Sequence, residues 1–300
     1  MICTVTMNPS LDLSVFTEGF ERGELNRALR QQIFPGGKGI NVSLVLHTLG
    51  NDTCALGFAA GPTGGMLEKM LENSGIRTDF IRLADGFTRI NVKLHDRDET
   101  EINGRGPVLT PADIEQLKQK LGKLENGDVL VLSGNVPAGA GSRIYRELMQ
   151  CVQEKDVLTA VDAENELLSS TLDLHPFLIK PNIHELEGLF RVQIGEEELP
   201  LYCKKLQEKG ARNILVSMGG DGAFMMDENG STYRMQAPRG KMINPIGAGD
   251  SMVAGFIDSW LKEHDCKKAF EAAVITGSAS AFSEGLADTE MIRKVRESVR

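Results

Sequence analysis

Short apolar runs alternate along this chain with stretches whose apolar residues recur at helical spacing, and this alternation limits the possible fold more than any other feature. Alternating strands and helices favour parallel pairing through right-handed crossovers. The sequence therefore predicts an α/β fold with a doubly wound, mainly parallel sheet and helices on both faces. The predicted strands are Ile2–Met7, Val129–Leu132, Val157–Val161, Phe177–Ile179 and Ile214–Val216, and the predicted helices are Ala112–Leu121, Ile144–Val152, Leu199–Gln207 and Met252–Leu261.

Polar or glycine residues directly follow each of the five predicted strands. They are Asn8, Ser133-Gly134-Asn135, Asp162, Lys180-Pro181-Asn182 and Ser217-Met218-Gly219-Gly220. In an open parallel sheet the carboxyl ends of the strands lie along one edge, and ligands bind in the crevice outside that edge. Five such strand ends therefore predict a ligand site at this edge of the sheet.

Two segments break the alternation and are predicted to form a small β-sheet lid inserted into the main domain, over about residues 11–34 and 86–104. Each contains two strand-like runs, and charged turns such as Asp96-Arg97-Asp98-Glu99 are typical of antiparallel hairpins. The four runs are Leu11–Phe16, Ala28–Phe34, Thr88–Asp96 and Glu99–Ile102. The alternative interpretation is a pair of separate surface hairpins without a part in function. A lid could also pair two copies into a homodimer.

The composition bounds the class of protein and its partners. With 41% hydrophobic residues, 300 residues can bury a large α/β core, and we predict a single domain over residues 1–300. The formal net charge of -9, without a long basic run, argues against nucleic acid or an anionic membrane as a partner. Five scattered cysteines fit a reducing cytoplasm, and five dispersed histidines indicate no zinc-type cluster. We find neither a membrane-span pattern nor a signal-peptide pattern.

A turn of small residues brings a carboxylate to the start of a helix at Gly247-Ala248-Gly249-Asp250. The glycines let backbone N–H groups approach an anion closely, and the helix start directs further unpaired N–H groups to the same point. Asp250 has two interpretations. It is either the N-cap of the helix, or a general base that accepts a hydroxyl proton while the N–H groups hold a transferring phosphoryl group. The paired glycines favour the general base.

A second glycine cluster, Gly36-Gly37-Lys38-Gly39-Ile40-Asn41, opens another predicted helix. It is not a P-loop, because G-x-x-x-x-G-K-[ST] occurs nowhere, and it is not a G-x-G-x-x-G dinucleotide motif. Such a cluster would let a polyol lie against bare backbone, with Asn41 reaching a hydroxyl from the first helical turns.

Together the two glycine clusters resemble the two signatures of the PfkB/ribokinase family of sugar kinases. The resemblance covers essentially the whole chain and includes Thr6-Met7-Asn8-Pro9-Ser10-Leu11-Asp12, Lys180-Pro181-Asn182-Ile183-His184-Glu185 and Ser217-Met218-Gly219-Gly220-Asp221-Gly222. Within the family, Thr88-Arg89-Ile90-Asn91-Val92-Lys93 is most similar to the 1-phosphofructokinase branch, with tagatose-6-phosphate kinases second. The resemblance implies a ribokinase-like fold. It also implies ATP- and Mg²⁺-dependent phosphorylation of a ketohexose phosphate, first of all fructose 1-phosphate to fructose 1,6-bisphosphate.

The resemblance also implies roles for individual residues. Asp250 would be the base, and the amides of Gly247, Ala248 and Gly249 would form the anion hole. The sugar would contact Asp12, Gly37, Lys38 and Asn41, and its phosphate would lie between Arg27 and Arg89. The ATP phosphates and Mg²⁺ would be held by Lys180, Asn182 and Glu185, with Glu185 as the metal ligand. The nucleotide groove would be lined by Ser217, Gly219 and Gly222, with Gly277 near the adenine.

The chemistry of several residues leaves alternatives open. Glu185 suits Mg²⁺ as a hard carboxylate ligand, or it completes a capping box with the residue three positions before it. Arg27 is either a phosphate ligand or a solvated surface charge. Arg89 lies in a strand-like context and suits bidentate binding of a phosphate monoester. Lys93 is expected to be an exposed strand residue, and Asp162 either joins the outer shell of the metal or caps the segment that follows it.

Two further functions remain open. A nucleotide- or sugar-binding regulator could keep the fold without turnover, but Asp250 and its intact glycine turn argue against this function. A nucleoside kinase on the same scaffold would have no use for Arg27 and Arg89, because a neutral sugar needs no paired guanidinium groups.

Overall fold

Strands and helices alternate along the chain as the sequence predicts, in a computed structural model that describes residues 1–299. The strands are β1 (Ile2–Thr6), β2 (Ser10–Phe16), β3 (Arg30–Gly36), β4 (Thr53–Ala60), β5 (Arg77–Thr78), β6 (Ile81–Leu83), β7 (Arg89–His95), β8 (Glu99–Asn103), β9 (Val129–Ser133), β10 (Leu158–Asp162), β11 (Leu178–Ile179), β12 (Asn213–Ser217), β13 (Ala223–Met226) and β14 (Thr232–Met235). The α-helices are α1 (Lys38–Thr48), α2 (Gly61–Asn73), α3 (Pro111–Leu121), α4 (Ile144–Gln150), α5 (Asn165–Ser169), α6 (Ile183–Phe190), α7 (Leu199–Glu208), α8 (Ala248–Glu263), α9 (Cys266–Ala281) and α10 (Thr289–Ser298). Residue 300, the predicted end of the domain, lies outside the described residues.

The large sheet has the strand order β14-β13-β12-β11-β10-β9-β1-β4-β5, with β6 paired to β4. Strands β12 to β5 in this order pair in parallel, whereas β13 and β14 add an antiparallel edge. The five predicted strands are consecutive, as β12-β11-β10-β9-β1, so the polar residues that follow them meet at one edge. The predicted mainly parallel α/β fold is confirmed.

Helices cover both faces of the large sheet because side chains of the central strands alternate between two cores. Cys3, Val5 and Leu130 pack on one face with residues of α3, α4, α6 and α7. Ile2 and Val129 pack on the other face with residues of α1, α8 and α9. None of the helices in the described part of the chain has the combined length and apolar content that a membrane crossing requires.

Strand β4 is the main element of the sheet that the sequence interpretation lacks. It pairs with β1, and all eight of its residues are buried. Its alanine and glycine residues have low strand propensity, so no branched apolar run marks it in the sequence. Gly57, with φ 148, lies opposite Thr6, and a Cβ there would lie 2.0 Å from the Thr6 carbonyl oxygen. Close packing against β1 therefore requires a glycine at this position.

The two segments predicted as hairpins form one four-stranded sheet, the small sheet, in the order β3-β2-β7-β8. The pairs β2–β3 and β7–β8 are antiparallel, as predicted, and β2 and β7 pair in parallel and so join the two hairpins. The interpretation as two separate surface hairpins is therefore wrong. That the small sheet is the lid of a single domain stays a proposal, supported by the cleft that both sheets border.

Candidate active site

A cleft of about 1590 Å³ is lined by residues from the carboxyl edge of the large sheet and from the small sheet. It brings together every predicted site residue except Arg27. The predicted residues in its lining are Asp12, Gly37, Lys38, Asn41, Arg89, Lys180, Asn182, Glu185, Ser217, Gly219, Gly222, Gly247, Ala248, Gly249, Asp250 and Gly277.

Arg27 is exposed in the loop between β2 and β3 and does not line the cleft. The reason is the direction of β2. Its first residue, Ser10, lines the cleft, and the loop begins only after all seven residues of the strand. At about 3.3 Å per residue, the loop lies at the far end of the hairpin. The structure therefore does not bring Arg27 to the other predicted site residues.

Asp250 lies in the first turn of α8 but does not cap this helix. The N-cap residue is Gly247, whose left-handed φ of 79 favours glycine. Asp250 is buried, and its Oδ2 accepts a 2.8 Å hydrogen bond from Asn41 Nδ2 in α1. The N-cap interpretation of Asp250 is therefore wrong. Its carboxylate instead links the first turn of α8 to the first turn of α1.

Three backbone N–H groups around Asp250 have no acceptor within residues 1–299. They belong to Gly247, Gly249 and Asp250 itself, whereas the Ala248 N–H donates to the Pro245 carbonyl at 3.3 Å. The start of α8 thus directs free donors and the positive end of its dipole into the cleft. An anion can bind at such a helix start.

The buried carboxylate of Asp162 lies between two lysine side chains. Its Oδ1 is 3.5 Å from Lys38 Nζ and 3.4 Å from Lys180 Nζ. Burial acts to lower the pKa of Lys38, but the nearby carboxylates, mainly those of Asp162 and Asp250, raise it by more. The net pKa of Lys38 is therefore raised, and its side chain stays charged. Helix α5 has Glu164 at its N-cap, so the interpretation of Asp162 as a helix cap is wrong.

Burial and, after it, the nearby carboxylate of Asp162 raise the pKa of Asp250 to about 6. The hydrogen bond from Asn41 and the positive charges of Lys38 and Lys180 act in the opposite direction. A carboxylate with this pKa is ionised at neutral pH and is a better proton acceptor than an ordinary aspartate. The site can therefore take a proton from a hydroxyl group placed beside Asp250.

Asp12 belongs to a hydrogen-bonded group on the face of the small sheet that borders the cleft. Its Oδ1 accepts from Ser10 Oγ at 2.7 Å and from Asn91 Nδ2 at 2.9 Å. Lys93 Nζ lies 3.5 Å from Asp12 Oδ2, and its side chain is 13% exposed, so the expectation of an exposed Lys93 is wrong. Asn91 and Lys93 were not predicted as site residues, although their spacing from Arg89 places all three on one face of a strand.

Arg89 is held at the start of β7 by backbone carbonyl groups. Its Nε donates to the Asn8 carbonyl at 3.1 Å, and its Nη1 donates to the Gly104 carbonyl at 3.3 Å. Burial lowers the pKa of Arg89, and the carboxylate of Asp12 opposes this shift. The guanidinium stays charged and has five N–H donors, so donors remain for a ligand.

Asn182 and Glu185 form a capping box at the start of α6. Asn182 Oδ1 accepts from the Glu185 N–H, and Glu185 Oε2 accepts from the Asn182 N–H, each at 2.8 Å. The capping-box interpretation of Glu185 is confirmed, and the box holds this carboxylate at the cleft.

Residues 1–299 contain no cluster of three or more His, Cys, Asp or Glu residues that could hold a metal. A single carboxylate fits Mg²⁺, which keeps waters and phosphate oxygens among its ligands.

Two of the predicted glycines allow close backbone packing at the wall of the cleft. A Cβ at Gly222, which has φ 91, would lie 2.0 Å from the Met235 carbonyl oxygen. A Cβ at Gly277 would lie 2.4 Å from Met252 Cγ and 3.0 Å from the Ala248 carbonyl oxygen. Gly277 therefore lets α9 pack directly against the first turn of α8.

Comparison with known proteins decides the family. A sequence model described as pfkB family carbohydrate kinase matches residues 4–292. The chain belongs to this family. It is therefore a sugar kinase, a phosphotransferase with an alcohol group as acceptor, as the sequence resemblance implies.

Relatives within the pfkB family are similar over their full lengths. The 1-phosphofructokinase of Bacillus subtilis is 40% identical over 302 residues, which cover 100% of this chain and 99% of that protein. The D-tagatose-1-phosphate kinase of Bacillus licheniformis is 35% identical over 303 residues, with 100% and 99% coverage. Phosphofructokinase-2 from Escherichia coli, solved in complex with potassium, superposes with a TM-score of 0.93 at 27% identity, covering 100% of this chain and 99% of that chain.

Buried side-chain atoms without a hydrogen-bond partner concentrate at the cleft of this pfkB family member. Those in its lining are Thr6 Oγ1, Asn8 Oδ1, Asn91 Oδ1, Ser133 Oγ and Asp162 Oδ2. A buried polar atom left unpaired costs about 1–3 kcal/mol. Such atoms are expected where a ligand or ordered water completes the bonding. Thr6 and Asn91 belong to motifs that carry the family resemblance, but the sequence interpretation assigns neither of them a role at the site.

Proposed function

We propose that this sugar kinase transfers the γ-phosphoryl group of ATP to the C6 hydroxyl of fructose 1-phosphate and so forms fructose 1,6-bisphosphate. The observation that carries the reaction type is the buried carboxylate of Asp250, held by Asn41 beside free N–H groups at the start of α8. The choice of sugar is supported by the 40% identity to a protein named 1-phosphofructokinase.

In the proposed reaction, Asp250 accepts the proton of the C6 hydroxyl as that oxygen attacks the γ-phosphorus. The N–H groups of Gly247, Gly249 and Asp250, and that of Ala248 once its long bond to Pro245 opens, would stabilise the charge of the transferring group. Little covalent chemistry is left to the protein in phosphoryl transfer, so catalysis consists mainly of positioning and charge stabilisation.

The remaining cleft residues divide into a sugar side and a nucleotide side. We propose that Asp12, Gly37, Lys38 and Asn41 contact the sugar and that Arg89 binds its phosphate, while the proposed role of Arg27 rests on the family resemblance alone. On the nucleotide side we propose Lys180, Asn182, Ser217, Gly219, Gly222 and Gly277. Mg²⁺, when bound with ATP, would neutralise phosphate charge, and Glu185 is the residue that would hold it.

Tagatose phosphates are the competing substrates. The sequence interpretation named tagatose 6-phosphate, which carries its phosphate at the opposite end of the sugar from fructose 1-phosphate. The 35% identity to a D-tagatose-1-phosphate kinase favours tagatose 1-phosphate as the nearer competitor. That sugar presents its phosphate and its C6 hydroxyl at the same ends as fructose 1-phosphate.

A coupled assay of ADP release tests the proposed function. The purified protein would be given ATP with fructose 1-phosphate, tagatose 1-phosphate, tagatose 6-phosphate, fructose 6-phosphate or unphosphorylated fructose. We expect the highest kcat/KM with fructose 1-phosphate, and the Asp250→Asn variant serves as the control for contaminating kinases. A higher kcat/KM with any other sugar would replace the proposed substrate.

The charge of Glu185 can be removed without removing the capping box, because glutamine also completes such a box. We expect Glu185→Gln to raise the Mg²⁺ concentration that gives half-maximal rate, since a carboxylate ligand is lost. Asp113→Asn is the matched control, because Asp113 completes the capping box of α3 and does not line the cleft. An unchanged Mg²⁺ requirement in Glu185→Gln would leave Glu185 with a capping role alone.

We also propose a homodimer formed through the outer face of the small sheet. Ile33, Leu13, Val92 and Ile102 are register partners in one row across its four strands, on the face opposite Asp12, and Ile33 and Ile102 are exposed. An exposed apolar row of this kind marks a contact surface. We expect sedimentation equilibrium to give a dimer for the wild type and a monomer for Ile102→Glu. A monomeric wild type would contradict the proposal.

We place the protein in the cytoplasm as part of the same proposal. All five cysteines are free thiols, and Cys3, Cys54 and Cys203 are buried as small core residues. Unpaired cysteines of this kind are typical of a reducing compartment.

A further inference from the structure

The face of the small sheet that borders the cleft contains a lysine, Lys93, in its second row of residues. In the row nearer the cleft floor, Asp12, Asn91 and Asn103 are register partners across β2, β7 and β8. In the next row, Ser14, Lys93 and Glu101 are register partners across the same strands. Lys93, Glu101 and Asn103 all line the cleft together with Asp12.

The side chain of Lys93 pairs with Asp12 and not with the acidic residue directly opposite it in the β7–β8 ladder. Its direct partner across the β7–β8 ladder is Glu101, which is exposed. The ammonium group instead lies 3.5 Å from Oδ2 of Asp12, diagonally across β2, where the two side chains are 13% and 20% exposed. Lysine side chains at a sheet surface normally extend their charge into water. The solvation of Lys93 therefore does not explain why its ammonium group lies against Asp12.

Both oxygens of the Asp12 carboxylate have a partner within the small sheet. Ser10 and Asn91 donate to its Oδ1, and Lys93 lies against its Oδ2. The group as a whole is close to neutral, although it contains the acidic side chain that the proposed function places against the sugar. Without Lys93, the carboxylate of Asp12 would keep its hydrogen bonds from Ser10 and Asn91 but would have no ammonium group against its Oδ2. This negative charge would then face a substrate that already carries a phosphate dianion.

We propose that Lys93 is a specificity-determining residue for phosphorylated sugars, because its ammonium group neutralises Asp12 and so lets the sugar side of the cleft accept an anionic substrate. This inference rests on the proposed function. It assigns Lys93 an electrostatic effect on sugar binding, distinct from the phosphate contact proposed for Arg89 and from the chemistry at Asp250.

Lys93→Met tests the inference, because methionine keeps an unbranched side chain and loses the charge. We expect the KM for fructose 1-phosphate to rise on the order of tenfold, as for the loss of a close and partly buried charge partner. The KM for ATP should change by less than about twofold, since Lys93 lies on the sugar side. The ratio of kcat/KM for fructose 1-phosphate to that for free fructose should fall, and Lys93→Arg should restore most of it.

The decisive comparison is made in a background without the Asp12 charge. In an Asp12→Asn protein, adding Lys93→Met should change the KM for fructose 1-phosphate by less than about twofold, because there is no carboxylate left to neutralise. Arg97→Met is the matched control. Arg97 carries a positive charge in the exposed turn between β7 and β8 and does not line the cleft, so its loss should leave both KM values unchanged.

Three results would overturn the inference. They are a sugar-phosphate KM within twofold of wild type in Lys93→Met, an equal rise in the KM for ATP, and a loss of the same size in the Asp12→Asn background. Thermal unfolding of each variant checks folding, and Lys93→Gln replaces Lys93→Met if the methionine variant does not fold. A wild type without turnover on any ketohexose phosphate would instead refute the proposed function, so the two failures are distinguishable.

Discussion

Asp250→Asn is expected to lower kcat by roughly 10²–10⁴-fold, which is the contribution of a positioned general base. The fold should persist, because an amide oxygen at this position can still accept the hydrogen bond from Asn41. ATP binding should also persist, since the proposed nucleotide residues Ser217 and Gly222 belong to other elements of the cleft. Steady-state kinetics with fructose 1-phosphate and an equilibrium titration with ATP measure the two properties separately.

Asp258→Asn is the matched control for this variant. Asp258 is also a buried aspartate of α8, but it accepts a hydrogen bond from Asn51 and pairs with Lys262 outside the cleft. We expect its kcat to stay near that of the wild type. Turnover near the wild-type rate in Asp250→Asn would remove Asp250 from the mechanism.

The raised pKa of Asp250 also predicts a pH dependence of the free energy of unfolding, which can be measured without substrate. Its pKa is about 6 in the folded protein and about 3.9 in an unfolded chain. The stability that this raised pKa contributes is therefore fully present below about pH 4 and is lost as the pH rises through 6. We expect Asp250→Asn to become more stable relative to the wild type between pH 4 and pH 7, measured by urea unfolding. The opposite trend would contradict a raised pKa.

Arg89→Ala is expected to raise the KM for fructose 1-phosphate by tenfold or more. Each charge-assisted hydrogen bond to the substrate phosphate should contribute about 1.5–3 kcal/mol, and about 1.4 kcal/mol corresponds to a factor of ten. The KM for ATP should change little, because Arg89 lies in the small sheet, whereas the residues proposed to bind ATP belong to other elements of the cleft. Initial-rate measurements with each substrate varied in turn separate the two constants.

Arg89 also forms hydrogen bonds with the backbone, so the alanine variant must be compared with a second substitution at this position. Its guanidinium donates to the carbonyl groups of Asn8 and Gly104. Arg89→Lys keeps the charge without the planar fork and should have an intermediate KM for fructose 1-phosphate. Arg105→Ala controls for the loss of a nearby exposed arginine that does not line the cleft. If the wild type used free fructose as well as fructose 1-phosphate, the phosphate contact at Arg89 would be refuted.

Much of the fold could be predicted from local patterns. The alternation of apolar runs and helical stretches predicted five parallel strands, and these are consecutive in the large sheet. Strand β4 was not predicted, because its small residues do not form a branched apolar run. They are needed for close packing against the backbone of β1, which Gly57 allows. The periodicity of side chains is a property of the local sequence, whereas close packing between strands is a property of their pairing.

The sequence by itself determined which residue types meet at the carboxyl edge of the sheet, and it identified the glycine turn that carries Asp250. The tertiary structure decided what these residues do to one another. Asn41 and Asp250 are 209 positions apart and form a hydrogen bond only because α1 and α8 both begin at the cleft. Burial and the charge of Asp162 raise the pKa of Asp250, and strand register brings Lys93 to Asp12 while Arg27 stays at the far end of its hairpin. Motifs and periodicity are encoded over a few residues, but burial, register and distance arise only when remote segments pack together.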